Sequence, residues 1–141
     1  MTILTHLISG AVAGKLLTDN IELIVVTVIG SIFPDVFEMI LAGRNWKQFF
    51  KIHRKFFHWF GFYIILLLLS MFVFVNKYLI FIDYFLYGCL IHLFMDLFTP
   101  SGIPVGPFGL KKVAIPMCKT GSYREFGIFS ILLIILILIY Y

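Results

Sequence analysis

Long apolar runs separated by short polar joints dominate this chain, and five stand out: residues 3–17, 21–33, 59–75, 78–98 and 126–141. A hydrocarbon core of roughly 30 Å takes about 20 helical residues to cross. The fourth run has that length. The third and fifth are slightly shorter but hold almost nothing polar, so all three read as spanning helices. At the helical rise the first two would each cover only roughly 20 Å. They read as a short, tilted or re-entrant hairpin that thins the bilayer locally. Its joint, Thr18-Asp19-Asn20, combines helix-capping side chains with a polar break. Ser31-Ile32-Phe33-Pro34-Asp35 is expected to end the second helix and leave a carboxylate at the boundary.

Two stretches break the apolar pattern. Residues 44–58 are basic and aromatic, and residues 99–125 carry Pro100, Gly102, Pro104, Gly106, Pro107, Gly109, Pro116 and Gly121. That second composition excludes a long helix and suits a folded cap over a site. With no internal repeat, residues 1–141 read as one membrane-embedded domain. The expected fold is all-α, a polytopic helical membrane protein with four to five transmembrane or re-entrant helices and a Gly/Pro-rich cytoplasmic loop.

Composition agrees. Apolar residues make up 62% of the chain and charged ones 13%, too few charges to clothe a soluble protein of this size. The net charge of +4 is not a nucleic-acid signal, because no basic helix or RNA-binding aromatic motif accompanies it. Cys89 and Cys118 form no CxxC pair or disulfide framework, and residues 1–6 lack the basic start of a signal peptide.

Charge placement sets an orientation. Arg44, Lys47, Lys51, Arg54 and Lys55 lie in the first loop, and Lys111, Lys112, Lys119 and Arg124 in the second; the opposite face receives only Lys15 and Lys77. Nine against two puts both loops and the N-terminus on the cytoplasmic side of the cell membrane. All four histidines then fall at that level. His6 opens the first run, His53 and His58 close the basic loop, and His92 lies about 9 Å of helix before Phe98. Asp35, Glu38, Asp96 and Glu125 join them.

His92 and Asp96 are four apart and share a helix face, which Gly88 extends by one turn to a point where another helix could come close. An ionisable pair inside an apolar span is costly and marks a functional candidate, although a hydrogen bond joining helices would also account for it. His53 and His58, five apart, need a turn between them to act together. The planar fork of Arg54 suits an anionic group such as phosphate, or it serves only as one more cytoplasmic charge. His6 and Glu125 gain weight only from sharing the layer. Imidazole and carboxylate without a thiolate cluster suit a divalent metal, zinc foremost and manganese or iron next. No GxSxG elbow supports a serine hydrolase.

In Thr5-His6-Leu7, Phe33-Pro34-Asp35, His53-Arg54 with His58, His92-Leu93-Phe94-Met95-Asp96, Thr99-Pro100-Ser101-Gly102 and Gly121-Ser122 with Glu125, the chain resembles the YdjM-type family of predicted membrane-bound, metal-dependent hydrolases over nearly its whole length. The resemblance implies an inner-membrane helical protein with His6, Asp35, His53, His58, His92, Asp96 and Glu125 as metal ligands. Family members usually carry a second Asp two places after Asp35, where Phe37 stands here, and Thr and Ser at the places of Phe57 and Trp59. Glu38 is offset by one from the missing carboxylate.

The function expected on these grounds is hydrolysis of a lipid or lipid-linked phosphoester at the cytoplasmic leaflet, with Asp96 and Arg54 as catalytic residues and the bilayer as partner. A non-catalytic metal- or haem-binding membrane protein and an ion transporter are the alternatives. Transport would need polar residues continuing across the bilayer, and the last run has none before Tyr140.

Overall fold

The computed structural model describes residues 1–43, 45–73, 79–109 and 111–141. Arg44 and Lys77 of the charge count, and the run ends at residues 74–75 and 78, lie outside them. The elements in chain order are α1 (Ile3–Leu17), α2 (Ile21–Leu41), α3 (Trp46–Ile52), α4 (Phe60–Val73), α5 (Leu79–Leu97), β1 (Ile103–Pro104), β2 (Lys112–Val113) and α6 (Tyr123–Tyr140), with a 3-10 turn, Phe56–His58, between α3 and α4. The protein is mostly helical. Helices α2, α5 and α6 are long and apolar enough to cross a membrane, and α1 and α4 are shorter apolar helices.

The α1–α2 joint forms where the polar break lies. Thr18 turns extended, and the Asn20 side chain accepts hydrogen bonds from Glu22 N at 2.8 Å and Leu23 N at 3.4 Å, satisfying amide groups that a helix start leaves free. Glu22 adds an acid to the first turn, on the favourable side of the helix dipole.

The expected end of α2 near Pro34 is not observed, because the helix runs through Pro34 to Leu41. Proline removes one intrahelical bond, but apolar surroundings offer the remaining backbone groups no water to turn to, so the helix continues. This lengthens α2 to 21 residues, a full candidate span, and replaces the short second helix of the expected hairpin. It also places Asp35 and Glu38 one turn apart on one helix.

Helix α2 packs against α1 and α5; α1 also meets α5 and α6, and α4 leans on α5. The α2–α5 approach is backbone to backbone. A Cβ on Gly88 would overlap the Thr27 carbonyl oxygen, and one on Gly30 the Phe85 carbonyl oxygen. The seam foreseen at Gly88 is therefore occupied by α2, as small-residue contacts allow between helices in a bilayer.

Buried apolar packing centres on Tyr63, Leu86, Cys89, Leu93 and Ile103. Yet many of the most deeply enclosed side chains are polar, among them His6, His58, His92, Glu38, Thr99 and Asp96. Large apolar side chains face outward along α6, including Phe126, Ile131, Ile134, Ile137 and Leu138. An apolar exterior around a polar interior is how a helical protein fits lipid. In the Gly/Pro-rich loop, β1 pairs antiparallel with β2, Ile103 opposite Val113 and Pro104 opposite Lys112. Gly102, at φ 58°, turns the chain into that ribbon.

Candidate metal centre

Four elements deliver the buried polar cluster. Helix α1 brings His6, α2 brings Asp35 and Glu38, the turn after α3 brings His53, Arg54 and His58, and α5 brings His92 and Asp96. The turn that His53 and His58 required is present. Helix α3 ends at Ile52, Arg54 takes a left-handed φ of 58°, and the 3-10 turn follows. An L side chain adopts that conformation only where its surroundings hold it there. Here the Arg54 amide donates to Glu38 Oε2 at 3.2 Å. Its guanidinium meets Asp96 Oδ2 at 2.9 Å, Thr99 Oγ1 at 2.8 Å and the Gly102 carbonyl at 3.1 Å.

Two histidine tautomers follow from hydrogen bonding. His92 Nδ1 lies 2.8 Å from the Ser31 carbonyl oxygen, which only accepts, so Nδ1 carries the proton. His58 Nδ1 lies 3.1 Å from Glu38 Oε1 and donates to it. In the neutral rings both Nε2 atoms then present lone pairs to the interior, 3.2 Å apart. Two facing lone pairs repel unless a cation, proton or metal, lies between them. Asp35 Oδ1 stands 3.2 Å from His58 Nε2 and 3.6 Å from His92 Nε2, and Asp96 Oδ2 stands 3.8 and 3.9 Å from the same two atoms. Asp35 Oδ1 is buried without a hydrogen-bond donor, whereas Asp96 Oδ2 faces the Arg54 guanidinium. Bonds of about 2.0–2.1 Å in a tetrahedron put ligand atoms about 3.3 Å apart. The five separations given, 3.2–3.9 Å, lie near that spacing.

His6 and His53 flank this tetrad. His6 stacks on His92 with ring centroids 3.9 Å apart. Its Nε2 lies 3.5 Å from Asp96 Oδ1, and neither ring nitrogen has a hydrogen-bond partner. The Met1 nitrogen also bonds Asp96 Oδ1. His53 Nδ1 donates to Glu38 Oε2 at 2.9 Å and lies 3.6 Å from Asp35 Oδ1. Two separate groups could hold an ion: Asp35, Glu38, His53 and His58, and His6, His92 and Asp96. The cross-distances just given join them into one cluster. Burial opposes a charge on His58, but the Asp35 and Glu38 carboxylates outweigh it and raise its pKa to about 9.

Glu125 is in neither group. Its Oε1 accepts from Thr2 N and Thr5 Oγ1 and its Oε2 from Gly121 N, while Ser122 Oγ accepts from the Glu125 amide. This is a helix-capping arrangement that ties the start of α6 to α1. Glu38, by contrast, grips His53, His58 and Arg54 at once. The sequence places Glu38 in the acidic layer, offset by one from the family's second carboxylate, and the continuous α2 sets it at i+3 from Asp35. Phe37 and Phe57, two of the departures from the family pattern, pack edge to face at 4.9 Å, and Phe33 stacks on Phe37 at 5.1 Å. Trp59, the third, donates through Nε1 to the Val105 carbonyl and so braces the ribbon loop.

The family model described as YdjM inner membrane protein matches residues 1–141. No curated protein and no solved structure matches the chain.

Proposed function

The chain belongs to the YdjM inner membrane protein family, and we propose that it is a metal-dependent hydrolase acting on a lipid or lipid-linked phosphoester at the cytoplasmic leaflet. The observation that carries this reading is the convergence of two imidazole Nε2 atoms with two buried carboxylate oxygens, of which Asp35 Oδ1 has no hydrogen-bond donor. Asp35, His58, His92 and Asp96 are the proposed ligands, with His6 and His53 beside them. A divalent ion held there lowers the pKa of a bound water and polarises a phosphoryl oxygen.

The protein's own groups prepare that chemistry. Glu38 and the Ser31 carbonyl fix the tautomers of His58 and His92 so that both Nε2 atoms face the centre, the usual task of groups just outside a metal's ligands. Arg54 steadies Asp96 and the loop after α5 together, and it has N–H donors to spare for a phosphate oxygen. The aromatic packing of Phe37 with Phe57 favours one metal over two, since an apolar contact stands where the family pattern places a second carboxylate.

The test is phosphate release from phosphoester lipids in vesicles by metal-loaded protein. Turnover that disappears in Asp96→Asn supports the proposal. A metal-loaded wild type inactive on every phosphoester lipid, or a fully active variant, overturns it.

A further inference from the structure

Two cavities that share Ser122 lie at the start of α6, and no residue of the two metal-capable groups lines either one. One, of about 370 Å³, is lined by Cys118, Lys119, Tyr123 and Arg124 among others. The second, of about 210 Å³, is lined by Leu4, Thr5, Glu125, Phe126 and Phe129 among others. Ser122 belongs to both. The first therefore has two basic residues in its lining and the second is mostly apolar. Neither Lys119 nor Arg124 pairs with a carboxylate among the described residues, and both side chains are exposed. The Glu125 carboxylate in the second cavity is turned inward, its oxygens taken up by Thr2, Thr5 and Gly121.

The two chambers also follow the expected depth in a membrane. Below Ser122, α6 becomes an outward-facing apolar span, with Phe126 69% exposed. The charged chamber lies at its loop end. A ligand filling both must be anionic at one end and hydrocarbon at the other. We propose that the joined cavities bind one anionic phospholipid, its phosphate-bearing headgroup against Lys119 and Arg124 and an acyl chain along Leu4, Phe126 and Phe129 between α1 and α6. Guanidinium and ammonium groups at a membrane surface recognise this headgroup chemistry. The aromatic walls supply the apolar contact.

The site is independent of catalysis yet adjacent to the buried cluster. Met1 packs with Cys118 on the cavity side, while its nitrogen bonds Asp96. A bound lipid thus rests one residue layer from the candidate metal ligands.

Native mass spectrometry of the detergent-purified full chain tests this, with dioleoyl phosphatidylglycerol against dioleoyl phosphatidylcholine as probes. The expected result is one retained phosphatidylglycerol, bound about tenfold or more tighter than phosphatidylcholine, with that preference lost in Lys119→Ala/Arg124→Ala. Metal content of the double variant should match wild type. Phe126→Ala should weaken the dioleoyl lipid more than a short-chain phosphatidylglycerol. Equal binding of both headgroups, or an unchanged preference in the double variant, overturns the proposal. So does competition by inorganic phosphate as strong as by the lipid, which would mark a phosphate site without a chain. Loss of metal together with lipid in the double variant also overturns it, by making the groove part of the metal centre.

Discussion

Replacing Glu38 by Gln probes the cluster with the least change of shape. The carboxylate takes three hydrogen bonds: from His58 Nδ1 at 3.1 Å, His53 Nδ1 at 2.9 Å and the Arg54 amide at 3.2 Å. A Gln side chain keeps one acceptor oxygen, so one imidazole retains its partner and the other meets an amide N–H donor to donor. One charge-assisted hydrogen bond is lost, worth about 1.5–3 kcal/mol. At 1.4 kcal/mol per decade that weakens metal binding about 10–100-fold, the range seen when groups supporting a metal's ligands are removed. The assay is zinc or cobalt titration of detergent-purified protein against a competing chelator, with size-exclusion profiles confirming that the variant is folded. A folded Glu38→Gln protein whose affinity stays within about twofold of wild type would refute the argument that Glu38 fixes the tautomers of the ligands.

Proton competition gives a second prediction. The metal-free His58 has its pKa raised to about 9, so metal uptake at neutral pH must expel its proton. Apparent affinity should climb about tenfold per pH unit from pH 7 to 9 and level off above that, and a flat profile would contradict this. The same upward shift means that the ion pairs of His58 support the metal-free fold fully below its ordinary pKa near 6.5 and fade as pH rises through about 9, a loss that thermal unfolding across that window would register. Gly88→Val should push α2 off α5 and cost about 1–3 kcal/mol by overpacking; an unchanged unfolding midpoint in detergent would deny the close seam. Glu125→Gln should cost about 1–3 kcal/mol, because a helix cap and the tie to α1 are lost, while metal content stays at the wild-type level. Metal loss on that substitution would return Glu125 to the ligand set.

How much of this was legible beforehand depended on the range of the interactions. The α5 and α6 spans could be read because lipid demands unbroken apolar length, while the third run, also read as a span, forms the shorter apolar helix α4 among the described residues; the polar layer could be read because His92 and Asp96 lie one turn apart inside α5. The seam at Gly88 followed from the same face. The course of α2 through Pro34 was not legible, since proline's local preference points to a helix end and only tertiary contact overrides it. Glu125 was placed among the ligands by its position in the layer; its local bonds to Gly121 and Ser122 have a sequence signature, but those to Thr2 and Thr5 join distant parts of the chain. Helix α3 was too short and the β1–β2 ribbon too slight to leave a periodic trace.

The central claim is that this buried cluster holds a metal ion, and metal content of the detergent-purified protein tests it most directly, wild type beside Asp96→Asn. The substitution keeps the shape of Asp96 next to Arg54 but removes the charge that Oδ2 turns toward His58 and His92. Stoichiometric zinc, manganese or iron in the wild type, sharply reduced in the variant, is the predicted result. Metal-free wild type after reconstitution with each ion, or equal metal in both proteins, would contradict it.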